Sequence, residues 1–288
     1  MNNKFANCLW FNGKVEEAAD YYLNLFQETK RNRTLYFVED AHGTTGDILT
    51  ISLTLDNQEF VLLNGGPDFV MTPAISYVIN CTDAGHLKRI WEELSKDGEI
   101  LMDLDNLPGV GLFGWLNDKY GVSWQLKVGD GKETITPCFM FANNLYGKAK
   151  DAMETWIEYF HNGTILSQST DKDGSLTIGE FELFGQHFLA MDSAMNHDFT
   201  FSMANSFYVY CEDQNEIDNL WDTVTKDGVE YPCGWMMDKF GVPWQTVARD
   251  MDDLIDIKEP KKALAVTKEL YKMKKIDINL LRKVYEEN

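Results

Sequence analysis

A chain of 288 residues with 44% hydrophobic and 25% charged residues has the make-up of a soluble globular protein. Its formal charge of −20, with no basic run to offset it, argues against nucleic acid and against anionic membrane surfaces as partners. No apolar stretch approaches the roughly 20 residues needed to span a bilayer, Met1-Asn2-Asn3-Lys4-Phe5 lacks a signal-peptide core, and five cysteines without CxxC spacing suit reduced, buried thiols, so a cytoplasmic protein is expected.

In chain order, Cys8 to Phe11 is a short apolar run ending at Asn12-Gly13, which predicts a strand and a turn. Val15 to Phe26 places Val15, Ala18, Ala19, Tyr22 and Phe26 on one helical face, with Glu16, Glu17 and Asp20 outward near the start. Thr34 to Glu39, Leu49 to Leu55 and Glu59 to Leu63 then alternate as three strands, separated by His42-Gly43 and Asp56-Asn57. The unit is βαβββ. It restarts with a strand at Ile75 to Ile79, an amphipathic helix at Ala84 to Lys96 and three strands at Glu99 to Met102, Leu112 to Leu116 and Val122 to Val128. Asp103 to Phe113, containing Leu107-Pro108-Gly109-Val110-Gly111, reads as a loop.

The second half says the same again. Gly114-Trp115-Leu116-Asn117-Asp118-Lys119-Tyr120-Gly121-Val122-Ser123-Trp124-Gln125 returns as Gly234-Trp235-Met236-Met237-Asp238-Lys239-Phe240-Gly241-Val242-Pro243-Trp244-Gln245, identical at eight of twelve positions. Gln58 to Asn64 pairs with Gln186 to Asp192, Ser76 to Asp83 with Ser206 to Asp213, and Trp91 with Trp221. The first copy carries about ten extra residues in the Pro/Gly segment. The expected domains are 1–130 and 134–250, followed by a helical extension over 251–288 with helices at Pro260 to Lys274 and Ile278 to Glu286. The extension has no counterpart in the first copy, and its apolar face predicts packing on the second domain or across a dimer.

Four βαβββ units, the Asn12-Gly13-Lys14-Val15-Glu16-Glu17-Ala18-Ala19-Asp20-Tyr21-Tyr22 segment, the twice-closing Asp-Lys-aromatic-Gly-Val-x-Trp-Gln motif and the tail Met273 to Ile278 resemble the PhnB-like branch of the glyoxalase/bleomycin-resistance/dioxygenase (vicinal oxygen chelate) superfamily. Members of that branch often carry the name 3-demethylubiquinone-9 3-methyltransferase. The chain has no Gly-rich strand-to-helix turn of the kind a Rossmann nucleotide site needs. The resemblance implies an α+β fold of two tandem glyoxalase-like domains, each of two βαβββ units with a curved mixed sheet, plus C-terminal helices.

In metal-using members of the superfamily, His and Glu on the first, fourth, fifth and eighth strands hold one divalent ion in the cup of the sheet. Carried over, the first-strand position falls on Asn7 and Cys138, the fourth near Leu63 to Asn64 and Met191 to Asp192, the fifth near Ala74 and Ala204, and the eighth on Gln125 and Gln245. That set lacks the His and carboxylate ligands a first-row ion requires, so no metal and no cofactor are expected. A one-residue slip would exchange the faces.

Ligand-binding candidates follow. Gln125 and Gln245 would contact a ligand in the cup; Trp115, Trp124, Trp235 and Trp244 either stack on a flat ligand or close the core. Cys138 is either a functional thiol or a buried structural one, and Asn64 and Asp192 either reach the ligand or serve turns. His42, His86, His161, His187 and His197 read as scattered surface residues. The expected function is binding of a small, partly apolar molecule in an aromatic-lined cup, with catalysis left open. One alternative is a divalent-metal-dependent lyase, isomerase or dioxygenase with nonstandard ligands such as Cys138, Asp192 and Gln245. The other is a non-catalytic assembly protein. Intrachain pairing would imitate the dimer of single-copy relatives, with a homodimer as a possible further assembly.

Overall fold

A computed structural model describes residues 3–41, 43–56, 58–129 and 131–288; His42 and Asn57, placed in turns above, lie outside them. The first βαβββ unit comprises β1 (Phe5–Phe11), α1 (Val15–Leu25), β2 (Thr29–Tyr36), β3 (Ile48–Leu55) and β4 (Gln58–Asn64). The second comprises β5 (Ile75–Cys81), α2 (Ala84–Leu94), β6 (Glu99–Leu107), β7 (Gly111–Asn117) and β8 (Ser123–Val128). The third has β9 (Thr134–Phe141), α3 (Ala149–Phe160), β10 (Gly163–Thr170), β11 (Leu176–Leu183) and β12 (Gln186–Asp192). The fourth has β13 (Asn205–Cys211), α4 (Gln214–Thr225), β14 (Val229–Glu230), β15 (Trp235–Met237) and β16 (Pro243–Ala248). Helices α5 (Met251–Leu254), α6 (Pro260–Leu270) and α7 (Ile278–Glu287) follow. The α+β architecture and the tandem repeat stand as read from the sequence.

Each helix forms for local reasons. The buried face of α1 is Val15, Ala18, Ala19, Tyr22 and Leu25, with Glu16 and Glu17 in its first turn where the helix dipole favours them. Asp83 caps α2 by accepting from Gly85 N and His86 N, and its repeat partner Asp213 caps α4 through Glu216 N.

The strands sort into two mixed eight-stranded sheets, and each draws on both repeats. The first runs β14-β15-β16-β13-β1-β4-β3-β2, joining the first and fourth units; the second runs β10-β11-β12-β9-β5-β8-β7-β6, joining the second and third. The seams are antiparallel: β1 with β13, where Cys8 faces Ser206, and β5 with β9, where Ser76 faces Cys138.

The cores follow the other division. One cluster, around Leu9, Tyr22, Tyr77, Leu116 and Trp124, packs the helix-side faces of units one and two together. Its counterpart, around Phe139, Trp156, Phe207 and Trp244, packs units three and four and continues into Val266, Ile276, Ile278 and Leu281 of the extension. Each repeat therefore has its own core, with Phe5, Ala74 and Ile75 of the first repeat reaching into the second core and Ile135 of the second into the first, while each sheet is shared between repeats.

The Asp103 to Phe113 segment is not a free loop. It lengthens β6 and β7 into a hairpin closed around Pro108 to Val110, with Leu107 paired to Gly111. In the second repeat the matching hairpin is cut to β14 and β15, and the extension occupies the vacated edge, where Cys233 N and Gly234 N donate to the carbonyls of Met273 and Lys274.

Candidate functional site

The repeated twelve-residue motif is structural at its centre. Asp118 Oδ1 accepts from Tyr120 N and Val122 N, and Oδ2 from Tyr22 Oη at 2.7 Å and Trp124 Nε1 at 2.9 Å. Asp238 repeats this with Phe240 N, Val242 N, Trp156 Nε1 at 2.7 Å and Trp244 Nε1 at 3.1 Å. Gly121 and Gly241 sit at φ of 85° and 87°, a left-handed turn position that glycine adopts without strain. Trp124 and Trp244 are fully buried on the helix side, so of the four tryptophans in the motifs they close the cores. Trp115 and Trp235 face the other way, opposite Gln125 and Gln245 across the sheet.

On the concave faces the two sheets carry the same constellation. In the first, Gln245 Nε2 donates to Ser206 Oγ at 3.0 Å, and the Cys8 thiol lies beside Gln245, Ser206 and Tyr208. In the second, Gln125 Nε2 donates to Ser76 Oγ at 2.9 Å, with the Cys138 thiol beside both. Burial pushes the Cys8 thiol up to about 11 and the Cys138 thiol up to about 12. Each trio combines residues of both repeats.

Several sequence candidates are placed elsewhere. Asn7 lies on the helix side of β1, between the core residues Phe5 and Leu9, and donates to Glu59 O; the concave-facing residue is its neighbour Cys8, a one-residue change of face. Asn64 accepts from Gly13 N and donates to Ile48 O, and Asp192 accepts from Gly147 N, Ala149 N and Leu176 N, so both serve turns and element starts. The fifth-strand positions that face the cups are Ser76 and Ser206, two residues beyond Ala74 and Ala204. Their alignment in the repeat was a usable signal. His86 is only partly exposed: its side chain is 9% exposed and in close contact with Glu133. His161 ends α3 in a left-handed conformation, His187 pairs with Glu180 at 2.8 Å on an exposed strand, and His197 bonds Ser193 in a loop.

The cup positions do not fit a divalent ion. Cys8, Ser206 and Gln245, with Leu63 on β4, offer a protonated thiol, a hydroxyl, an amide already donating and an alkyl group; Cys138, Ser76 and Gln125 are no better. Among the described residues, no group of three or more His, Cys, Asp or Glu is arranged to hold a metal ion.

The first sheet's cup contains a cavity of about 170 Å³. Its floor includes Ser52, Val61, Leu63, Tyr208, Tyr210 and Gln245, its wall Trp235, and its roof Met251, Asp252, Ile255, Leu270, Tyr271 and Ile276 from the extension. Trp10 stands beside Trp235 with ring centroids 6.0 Å apart and donates through Nε1 to Gly66 O. Tyr210 Oη donates to Glu59 Oε1 at 2.8 Å. A larger cleft of about 250 Å³ lies between α3 and α4, but Lys4 and Glu216 on its wall are ion-paired to each other.

A family model described as 3-demethylubiquinone-9 3-methyltransferase matches residues 3–127 and again 133–247. A PhnB protein from Bacillus cereus, named after the same activity, is 36% identical over 44% of this chain and 100% of its own, with a TM-score of 0.42. Glyoxalase I from Zea mays is 13% identical over 89% of this chain and 96% of its own, with a TM-score of 0.57, a likeness of fold alone. No curated protein matches. Among the described residues, no helix is long and apolar enough to cross a membrane.

Proposed function

From a chain that belongs to the 3-demethylubiquinone-9 3-methyltransferase (PhnB-like) family, with the glyoxalase-like fold in tandem, we propose that the roofed cup of the first sheet binds a small, partly apolar molecule without a resident metal. The cavity between Gln245, Trp235 and Tyr271 is the observation that carries this reading. Its aromatic and aliphatic walls supply apolar contact, and Gln245, Tyr208 and Ser52 supply a few polar groups for orientation, the usual make-up of a small-molecule site.

The family's name implies methyl transfer. The residues lining this cup include no strand-to-helix glycine turn for a nucleotide, and the reading favours binding over that chemistry. Metal-dependent catalysis through Cys138, Asp192 and Gln245 is disfavoured by placement: Asp192 accepts from the backbone N–H groups of Gly147, Ala149 and Leu176, and Cys138 and Gln245 lie on different sheets. A cytoplasmic setting suits the free thiols.

The test is a Trp-fluorescence and thermal-shift screen against a broad set of small molecules, comparing the native chain with Trp235→Phe and Gln245→Leu. Binding that shifts the emission and is weakened by both substitutions supports the cup. A set in which no compound shifts either signal sinks it. Elemental analysis of protein purified without chelator bears on the metal, and a stoichiometric ion would overturn the metal-free part.

A further inference from the structure

We infer that the roofed cup selects a small organic cation, an amine or ammonium carrying an apolar substituent. This deepens the binding reading above and rests on it. Among the residues lining the cavity, Asp252 is the sole charged one, and no Lys, Arg or His lines it. Four aromatic side chains, Tyr208, Tyr210, Trp235 and Tyr271, share the wall with it. A carboxylate among aromatic rings attracts a cation by charge and by the ring quadrupole, and the lining offers an anion no cationic side chain to pair with.

The neighbouring guanidinium groups are already committed. Arg33 donates to Asp253 Oδ1 and Asp256 Oδ2, both at 2.7 Å, and to the Asp252 backbone carbonyl at 2.9 Å. Arg249 stands over the Tyr210 ring at 5.5 Å but is ion-paired with Glu212 and donates to Asn3 O. Among the described residues no ion pair reaches the Asp252 carboxylate. A second acid, Glu59, sits just behind Tyr210. Burial raises the pKa of both Asp252 and Glu59 above the ordinary carboxylate range. Arg33 lowers Asp252 and Arg249 lowers Glu59 by charge at a distance, but both guanidiniums are ion-paired with other carboxylates, and an entering ammonium would pair with Asp252 directly. The −20 net charge draws cations toward the molecule as a whole.

The test uses three probes of similar size on the full chain: benzyltrimethylammonium, benzyl alcohol and benzoate, each titrated by calorimetry with Trp emission as a second signal. The ammonium is expected to bind at least about tenfold tighter than the alcohol, with benzoate weakest. Asp252→Asn should abolish that preference, bringing the ammonium's affinity down to the alcohol's or below it. Tyr271→Leu, which keeps the carboxylate, should weaken the ammonium more than the alcohol and guards against a misfolded first variant. An ammonium no tighter than the alcohol, benzoate binding equally well, or a preference that survives Asp252→Asn overturns the inference. If all three fail to bind while other compounds shift the emission, the cation class falls and the cup stands. If nothing in the broad screen binds either, both readings fall.

Discussion

The Tyr22 hydroxyl donates to Asp118 Oδ2 at 2.7 Å, although the two residues lie 96 positions apart in different βαβββ units. Tyr22 is on the inner face of α1, and Asp118 opens the turn of the repeated motif. The contact locks the two units of the first repeat together through a buried carboxylate. Trp156 and Asp238 do the same for the second.

Removing this carboxylate should be costly. Asp118→Ala leaves the Tyr22 hydroxyl, the Trp124 indole and two backbone N–H groups without their acceptor, and is expected to lower stability by roughly 3 kcal/mol or more. Tyr22→Phe removes a single donor and should cost about 1–2 kcal/mol. Urea denaturation midpoints of the two variants should fall in that order.

Stability should decline as pH rises from about 4.5 to about 8. Burial, and next the neighbouring Asp56 carboxylate, push the Glu133 carboxyl up to about 8 from 4.5. Between those values the folded chain holds a proton that the unfolded chain has lost, so this group's stabilisation is full below about 4.5 and lost as pH rises toward about 8. Melting temperatures across that window should fall less in Glu133→Gln, which imitates the protonated acid. A parallel decline in both would contradict the assignment.

The thiols should be inert in the folded state. Cys8 and Cys138 are each 1% exposed, and burial holds both well above neutral pH. Cys81 and Cys211 are fully buried as well. A chromogenic disulfide reagent should find these four slow in native protein and fast in denaturant; a rapid stoichiometric reaction of Cys8 would contradict the geometry.

The roof should matter to binding and to stability together. Ile276 is 1% exposed, lines the cavity and belongs to the second core. Ile276→Ala should cost about 2–4 kcal/mol and weaken any cup ligand, read by thermal shift with and without that ligand.

The sequence by itself determined the elements and their repetition. Apolar spacing at 3.6 and 2 residues depends on neighbours along the chain, so α1, α2 and the central strands were legible, and so was the repeated motif; the caps Asp83 and Asp213 were seen only as aligned repeat positions. The cup residues were only half legible. Gln125, Gln245 and Cys138 were found because they hold fixed offsets from motifs, whereas Asn7 was chosen over Cys8 because a strand's face reverses with every residue.

Tertiary structure alone decided which strands share a sheet. Helix-side packing binds each repeat to itself, but the backbone edges of β1 and β5 are satisfied by β13 and β9 from the other repeat. That choice puts Cys8 with Ser206 and Gln245, and Cys138 with Ser76 and Gln125. It also leaves a shortened hairpin edge at Cys233 and Gly234 that the extension fills, which brings Asp252 and Tyr271 over the cavity. Such long-range pairing leaves no periodic mark in a sequence, because it is set by which edges and faces remain uncovered once the local elements have formed.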